Sequence, residues 1–258
     1  MAGVELVDST TYRRSIYVDG CAGEVEVDLA SASVDGRVLF ATSSGLDPES
    51  LKERVGRLVD FDAPVQDIVS TLAPDRALRP WIRTYPGVRV PGTMDSFELA
   101  VRAILGQQVS VTTATTLATR VSARYGRRAD LPRCPLLFPT PGQLAGAMLE
   151  EVGVSPARAR AIRDLAEGVA SEGVVLDPAG NIGRSRQQLL AIRGVGPWTA
   201  AYVALRGLGD RDSIPETDLG LVRAFGVERP EDLAARSAAW TPYRGYAAVY
   251  AWSTYLSL

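Results

Sequence analysis

Apolar and polar residues alternate over 12–18 and again over 24–29, the period of a half-buried strand. Residues 38–41 are apolar and follow an Asp35-Gly36 turn, which adds a third strand. The period then changes. Leu51, Val55, Leu58 and Val59 recur at helical spacing within 48–61, and a second helical run spans 64–72. The first 72 residues therefore read as a small α+β domain.

Residues 84–93 (TYPGVRVPGT) are rich in Pro and Gly and read as a connector. Beyond them the chain is helical. Asp95 and Glu98 have the spacing of a capping box opening a helix with Phe97, Val101, Ile104 and Leu105 on one face. Further helices are expected over 111–125, from Ser155-Pro156 through Ile162 and Leu165, over 187–193 and 197–206, and over 217–225, 230–239 and 242–256. There is no internal repeat and no low-complexity tract.

With 258 residues and 46% hydrophobic content the chain can bury a real core. No apolar run approaches 18 residues, so no membrane span is expected. The start, MAGVELVDSTTYRR, lacks the pattern of a signal peptide. Cys21 and Cys134 form neither a CxxC nor a disulfide framework, which suits a reducing cytoplasm. Histidine is absent, which removes His-based triads and most zinc sites. The net charge of −2 argues weakly against nucleic acid, but local charge matters more. Residues 183–209 carry Arg184, Arg186, Arg193 and Arg206 and no acid. Residues 120–133 carry five arginines against Asp130 alone. Lys52 is the only lysine. Either arginine segment reads equally as a solvated helix surface or as a phosphate-facing one.

The stretch 189–225 is the most informative. A helical run ends near Arg193, Gly194-Val195-Gly196 turns, and Pro197 opens a second run. The bare N–H groups at such a helix start can bind a phosphate oxygen. Twenty residues after Trp198 stands Asp218, at the opening of another helix. This unit resembles the helix-hairpin-helix DNA glycosylase superfamily. Three blocks, FELAVRAILGQQVSV (97–111), GVGPWTAAYVALR (194–206) and YAAVYAWSTYL (246–256), are similar to its alkylation-repair 3-methyladenine DNA glycosylase II branch. Together they span most of 76–258.

The resemblance implies an α+β fold. A small N-terminal antiparallel sheet domain with helices (1–72) precedes an all-α helix-hairpin-helix glycosylase region (73–258). That region has a hairpin-bearing central lobe at about 96–210 and a second lobe of about 73–95 with 211–258. It implies a base-excision-repair enzyme that hydrolyses the N-glycosidic bond of alkylated bases in double-stranded DNA, acting as a monomer. Asp218 is the implied catalytic carboxylate, since a carboxylate stabilises the oxocarbenium character of the sugar. Trp198, Tyr202 and Trp252 are the implied base pocket, where an indole face stabilises a cationic methylated base by roughly 0.5–2 kcal/mol. Gln108 matches the wedge that fills the space left by the flipped base, although the best-known relatives have an apolar residue there. Gly194, Val195, Gly196 and Thr199 are the implied DNA contacts.

Lyase-type members attack the sugar with a lysine just after the hairpin; Trp198 stands there, so the implied enzyme is monofunctional, with water as nucleophile. No four-cysteine iron–sulfur loop is expected, nor a cysteine-bearing alkyl-transfer domain ahead of the unit. Hairpin carbonyls can hold a monovalent cation, as the resemblance implies. Two readings compete. A non-catalytic hairpin module binding distorted DNA needs neither Asp218 nor aromatics, and a lyase for oxidised bases needs the missing lysine. Taken locally, Asp218 is equally a helix cap, Gln108 a polar helix end, and the aromatics core residues. Glu216 is the nearest rival acid. Tyr246 and Tyr250 read best as core.

Overall fold

The computed structural model describes residues 1–18, 20–28, 40–42 and 46–256. A four-stranded antiparallel sheet opens the chain, with β1 (Glu5–Val7), β2 (Thr11–Val18), β3 (Cys21–Asp28) and β4 (Phe40–Thr42) in sequential order. The β2–β3 hairpin pairs Thr11 with Asp28 through to Val18 with Cys21. This register puts Ile16, Val18, Val25 and Val27 in one buried cluster with Leu51, Val55 and Met94. The third expected strand is β4; the Asp35-Gly36 turn and Val38 lie outside the described residues. Strand β1 has only three residues, too few to show alternation.

Twelve α-helices follow among the described residues. They are α1 (Pro48–Leu58), α2 (Val65–Leu72), α3 (Leu78–Thr84), α4 (Ser96–Leu105), α5 (Val111–Tyr125), α6 (Pro141–Ala145), α7 (Pro156–Ala170), α8 (Ile182–Ala191), α9 (Pro197–Gly207), α10 (Leu219–Ala224), α11 (Pro230–Ser237) and α12 (Arg244–Leu256). Helices α3 and α6 fall where no helix is expected. Pro80 sits in the first turn of α3, where proline is tolerated but hides the pattern. Helix α6 is five residues long, held by a Thr140–Gln143 capping box.

Apart from α1, which packs on the sheet, the helices form two cores. Phe97, Val101, Ile104, Leu117, Val121, Leu144, Ile162, Leu165, Leu189 and Val203 belong to one. Leu78, Ile82, Leu221, Phe225, Leu233, Trp240, Tyr246 and Tyr250 belong to the other. Tyr246 and Tyr250 are buried core residues, as their sequence context suggests. Ile68 and Leu72 also pack in this second core, so α2, which the sequence pattern groups with the sheet, rests on the C-terminal helices instead.

The expected capping box at α4 is half formed. Asp95 caps the helix, accepting the Glu98 N–H at 3.0 Å. The Glu98 carboxylate does not reach back; it is 1% exposed and turns to Arg14 of β2 and Arg102, the latter at 3.1 Å. Arg102 also pairs with Glu5 of β1 at 3.0 Å. A buried ion cluster, each member multiply paired, thus joins the sheet to α4. Ser155 precedes α7 but makes no side-chain capping bond.

Candidate active site

The hairpin begins where α8 ends at Ala191. Ile192 accepts the Val195 N–H at 3.0 Å, closing a tight turn. Gly194 occupies the left-handed region at φ +94°, and a Cβ there would sit 3.3 Å from Ala161, so glycine fits this turn for two reasons. Gly196 stands at the N-cap of α9 in extended conformation, with open space where a Cβ would project. Val195 is buried and contributes its side chain to the central core. Thr199 is 2% exposed, and its hydroxyl accepts from Gln107 Nε2 at 2.9 Å. Of the four expected DNA contacts here, the two glycines thus lie open or half-open on the turn, and the side chains of Val195 and Thr199 face inward. Arg184 and Arg193 are exposed around the hairpin and Arg186 is half-buried.

Helix α9 carries Trp198, Tyr202 and Arg206 at intervals of four, so all three share one face. The Trp198 and Tyr202 rings stack, with centroids 4.9 Å apart and planes within 12°. Trp252 of α12 tilts against Tyr202 at 6.1 Å and 59°. The three expected aromatics are therefore one contiguous strip. A base lying between Tyr202 and Trp252 would need roughly 7 Å, two van der Waals layers, so it must part them by about 1 Å or stack on an outer face. Arg206 closes the far end: its guanidinium donates to the Tyr202 hydroxyl and to the Pro91 carbonyl.

Asp218 stands at the near end. Its Oδ1 accepts the Leu221 N–H at 3.0 Å and caps α10. Its Oδ2 accepts the Trp198 indole N–H at 2.8 Å. The capping and site readings of Asp218 are thus not alternatives, since each takes one oxygen. Glu216 faces Arg244 at 3.8 Å, and Arg244 is itself tied to Asp212 at 2.9 Å. The rival acid makes no bond to the aromatic strip. A cavity of about 690 Å³ opens beside α9, lined by Asp60, Gly92, Arg206 and Gly207 among others, but it includes none of Trp198, Tyr202, Asp218 and Trp252. We locate the site by the carboxylate and the rings, because chemistry follows those groups and not the volume.

Gln108 is exposed and held in the left-handed region at φ +54°, just past the end of α4. Two residues at this site carried no flag in the sequence. Arg206 was visible only as a charge, although its i+4 spacing from Tyr202 is a usable signal. Gln107 was hidden, because its partners Gly194 and Thr199 lie 87 and 92 residues away. Among the described residues no cluster of acids, cysteines or histidines could hold a metal ion, and no helix is long and apolar enough to cross a membrane.

The sheet and the helical region that carries the hairpin have known counterparts. Residues 1–95 match the AlkA N-terminal domain, and residues 101–235 match the HhH-GPD superfamily base excision DNA repair proteins. The chain belongs to the HhH-GPD superfamily. It is 39% identical to the probable bifunctional transcriptional activator/DNA repair enzyme AlkA of Mycobacterium tuberculosis, over 98% of this chain and 52% of that protein. The chain thus spans about half the length of that mycobacterial relative. It is 33% identical to DNA-3-methyladenine glycosylase 2 of Escherichia coli, over 98% of this chain and 89% of that protein. The solved 3-methyladenine DNA-glycosylase of Archaeoglobus fulgidus shares the fold of this HhH-GPD chain, with a TM-score of 0.80 at 21% identity, covering 96% of this chain and 88% of that one. A Clostridium acetobutylicum 8-oxoguanine glycosylase/lyase shares it too, with a TM-score of 0.75 at 15% identity, over 100% and 89% of the two chains.

Proposed function

We propose that this chain is a monofunctional DNA glycosylase that hydrolyses the N-glycosidic bond of alkylated bases in double-stranded DNA. The observation that carries the reading is the 2.8 Å bond that aims the Asp218 carboxylate from the end of an aromatic strip. A non-catalytic binding module has no use for a carboxylate so oriented. Relatives named as glycosylases support the reaction class.

In this reading the hairpin of Gly194 and Gly196, with the nearby arginines and the N-terminal amides of α9, grips a backbone phosphate. Gln108 enters the duplex as the base leaves it. The flipped base stacks on the strip of Trp198, Tyr202 and Trp252, which favours bases made cationic by ring methylation. The C1′–N bond breaks with its electron pair passing to the base, which leaves neutral if it entered cationic. The sugar becomes oxocarbenium-like, and Asp218 stabilises that charge. Water adds to C1′ and gives up its proton to solvent water. Such a leaving group needs no dedicated general acid, consistent with a chain lacking histidine.

Trp198 in place of the lyase lysine supports water over an amine as the nucleophile. The hairpin offers only carbonyl oxygens to a cation. Ile192 and Gly194 each use one lone pair on Val195 and Gln107 and keep another, which suits a monovalent ion and not a thiolate-seeking metal. We further read the enzyme as cytoplasmic, on the strength of two unpaired cysteines and a DNA target, and as acting as a monomer. Three packing units, a sheet unit, a hairpin lobe and a lobe joining α2 and α3 to α10–α12, are its domains.

The test is incubation with methylated duplex DNA and identification of the released bases. Release of 3-methyladenine or 7-methylguanine by the wild-type chain is expected. Tight duplex binding without release would support the binding module instead.

A further inference from the structure

Gln107 lies between the two parts of the chain that, on the reading above, touch DNA. Its backbone N–H donates to the Ile104 carbonyl as α4 ends. Its side-chain nitrogen donates to the Gly194 carbonyl at 3.0 Å and to the Thr199 hydroxyl at 2.9 Å. A carbonyl only accepts, so the amide nitrogen must be the atom facing Gly194, and its two donors are both used. From the opposite side Arg158 of α7 donates to the Gln107 carbonyl. Helix α4, helix α7, the hairpin turn and the first turn of α9 all converge on this one residue.

The next residue is Gln108, exposed, in a left-handed conformation that non-glycine residues rarely adopt. Such a conformation persists where neighbours over-determine it. Among the described residues Gln108 itself makes no hydrogen bond, whereas Gln107 is held by Gly194, Thr199 and Arg158.

We propose that Gln107 is a positioning residue that fixes the Gln108 wedge to the hairpin, so that the phosphate grip and the wedge act as one rigid unit. A wedge entering the base stack is pushed back by the stack. The push must be borne by something already fixed to the DNA, and the hairpin is that anchor. Through Gln107 the force on the wedge passes to Gly194 and the start of α9, the same turn that holds the phosphate. Without that link the loop yields, and the base is flipped less often even though the pocket and the carboxylate are intact. The proposal rests on the roles given above to Gln108 and the hairpin.

The consequence is a dependence on how firmly the target base is paired. Flipping costs least for a base already mispaired. Gln107→Met keeps the length of the side chain and removes both donors without adding a charge beside the phosphate grip. Arg158→Met removes the tether on the other side of the same residue. Each variant is compared with wild type in single-turnover release of 7-methylguanine placed opposite cytosine and opposite thymine, with melting curves and plain-duplex binding alongside. For both variants release opposite cytosine is expected to fall about 10- to 100-fold and release opposite thymine by no more than about 3-fold, the difference tracking the pairing energy. Melting temperature and plain-duplex affinity stay near wild type. Equal losses opposite both bases in folded variants would overturn the coupling and leave Gln107 a general structural residue. A wild-type chain that releases no base at all sinks the glycosylase reading, and this proposal with it.

Discussion

Trp198 Nε1 donates to Asp218 Oδ2 at 2.8 Å, twenty residues apart in the chain. With Oδ1 held by the Leu221 N–H, both carboxylate oxygens are fixed and the group cannot rotate freely. Hydrogen bonds to charged groups are worth roughly 1.5–3 kcal/mol. Trp198→Phe keeps a six-membered aromatic ring to stack on Tyr202 and removes the donor with the smaller ring that carries it. Base release is expected to fall about 10- to 100-fold, the rate equivalent of that bond. Single-turnover release, with a melting curve to confirm the fold, checks it. Full activity in this variant would mean that the bond does not aim the carboxylate.

Asp218→Asn tests the carboxylate directly. Asparagine is as good a helix cap as aspartate, so the Leu221 bond is expected to survive. The amide nitrogen would then face the Trp198 indole N–H, and two donors repel. The charge is gone as well. We expect at least about 100-fold loss of base release, the scale of a lost electrostatic stabiliser. Binding to an abasic-site duplex is expected to persist. Near-normal release would transfer the role to another acid, and Glu216 is then the first to replace.

Gly196 offers a clean probe of the hairpin. A Cβ there meets no protein atom within 4 Å, so Gly196→Val starts its side chain in open space where it obstructs an approaching ligand, and a melting curve checks the fold. It is expected to weaken lesion-bearing and plain duplex by similar factors, because phosphate contacts carry no base information. Gly194 could not serve, since its positive φ and the nearby Ala161 would strain any side chain. A loss confined to lesion DNA would show that the hairpin senses the base.

Lys52, the only lysine, lies on α1 and carries an ion pair with Glu49 at 3.2 Å, while the lyase position just after the hairpin holds Trp198. An imine between protein and sugar is therefore not expected. Borohydride added during turnover should trap no covalent adduct, and the strand should stay intact until alkali is added. A trapped species would establish lyase chemistry.

Much of this architecture is legible in the chain because local signals and tertiary packing agree. Helix α5 runs from Val111 to Tyr125 as its pattern predicts, since Ser110 caps one end and Gly126 ends the other. The spacing between Trp198 and Asp218 survives as a contact because the one loop between α9 and α10 is tied back onto α9, the Asp210 N–H and the Ser213 hydroxyl donating to the Ala204 and Ala201 carbonyls. What was not legible depends on partners distant in sequence. Glu98 has the position of a capping-box residue but is claimed by Arg14, 84 residues away. Val195 and Thr199 stand in a motif whose every residue looks like a DNA contact, yet a turn and a helix start point alternate side chains inward. Helix α2 follows α1 so closely that only packing reveals its place on the other core.

Asp75 closes that second core. It accepts from Arg236 Nη2 at 2.7 Å, Arg236 Nε at 3.0 Å, Trp240 Nε1 at 3.2 Å and the Ala77 N–H at 2.8 Å. The loop between α2 and α3 is thereby tied to α11 and the turn after it. Burial alone would raise the Asp75 carboxyl, but the Arg236 bonds, the Ala77 N–H and Trp240 outweigh it and hold the group below its ordinary value of 3.8. Between those two values the unfolded chain binds more protons than the folded one. The stability from Asp75 is therefore complete well above pH 3.8 and is lost as pH falls through the lower, folded-state value. Asp75→Asn keeps one acceptor and loses the charge, and is expected to cost roughly 1–3 kcal/mol at neutral pH. Urea unfolding of both proteins at neutral pH and near pH 3 measures the difference. The gap between them should narrow in acid, because the wild-type carboxylate gains the proton whose effect the variant already imitates. A gap that stays constant across the range would show that shape, not charge, is what Asp75 contributes to the joint.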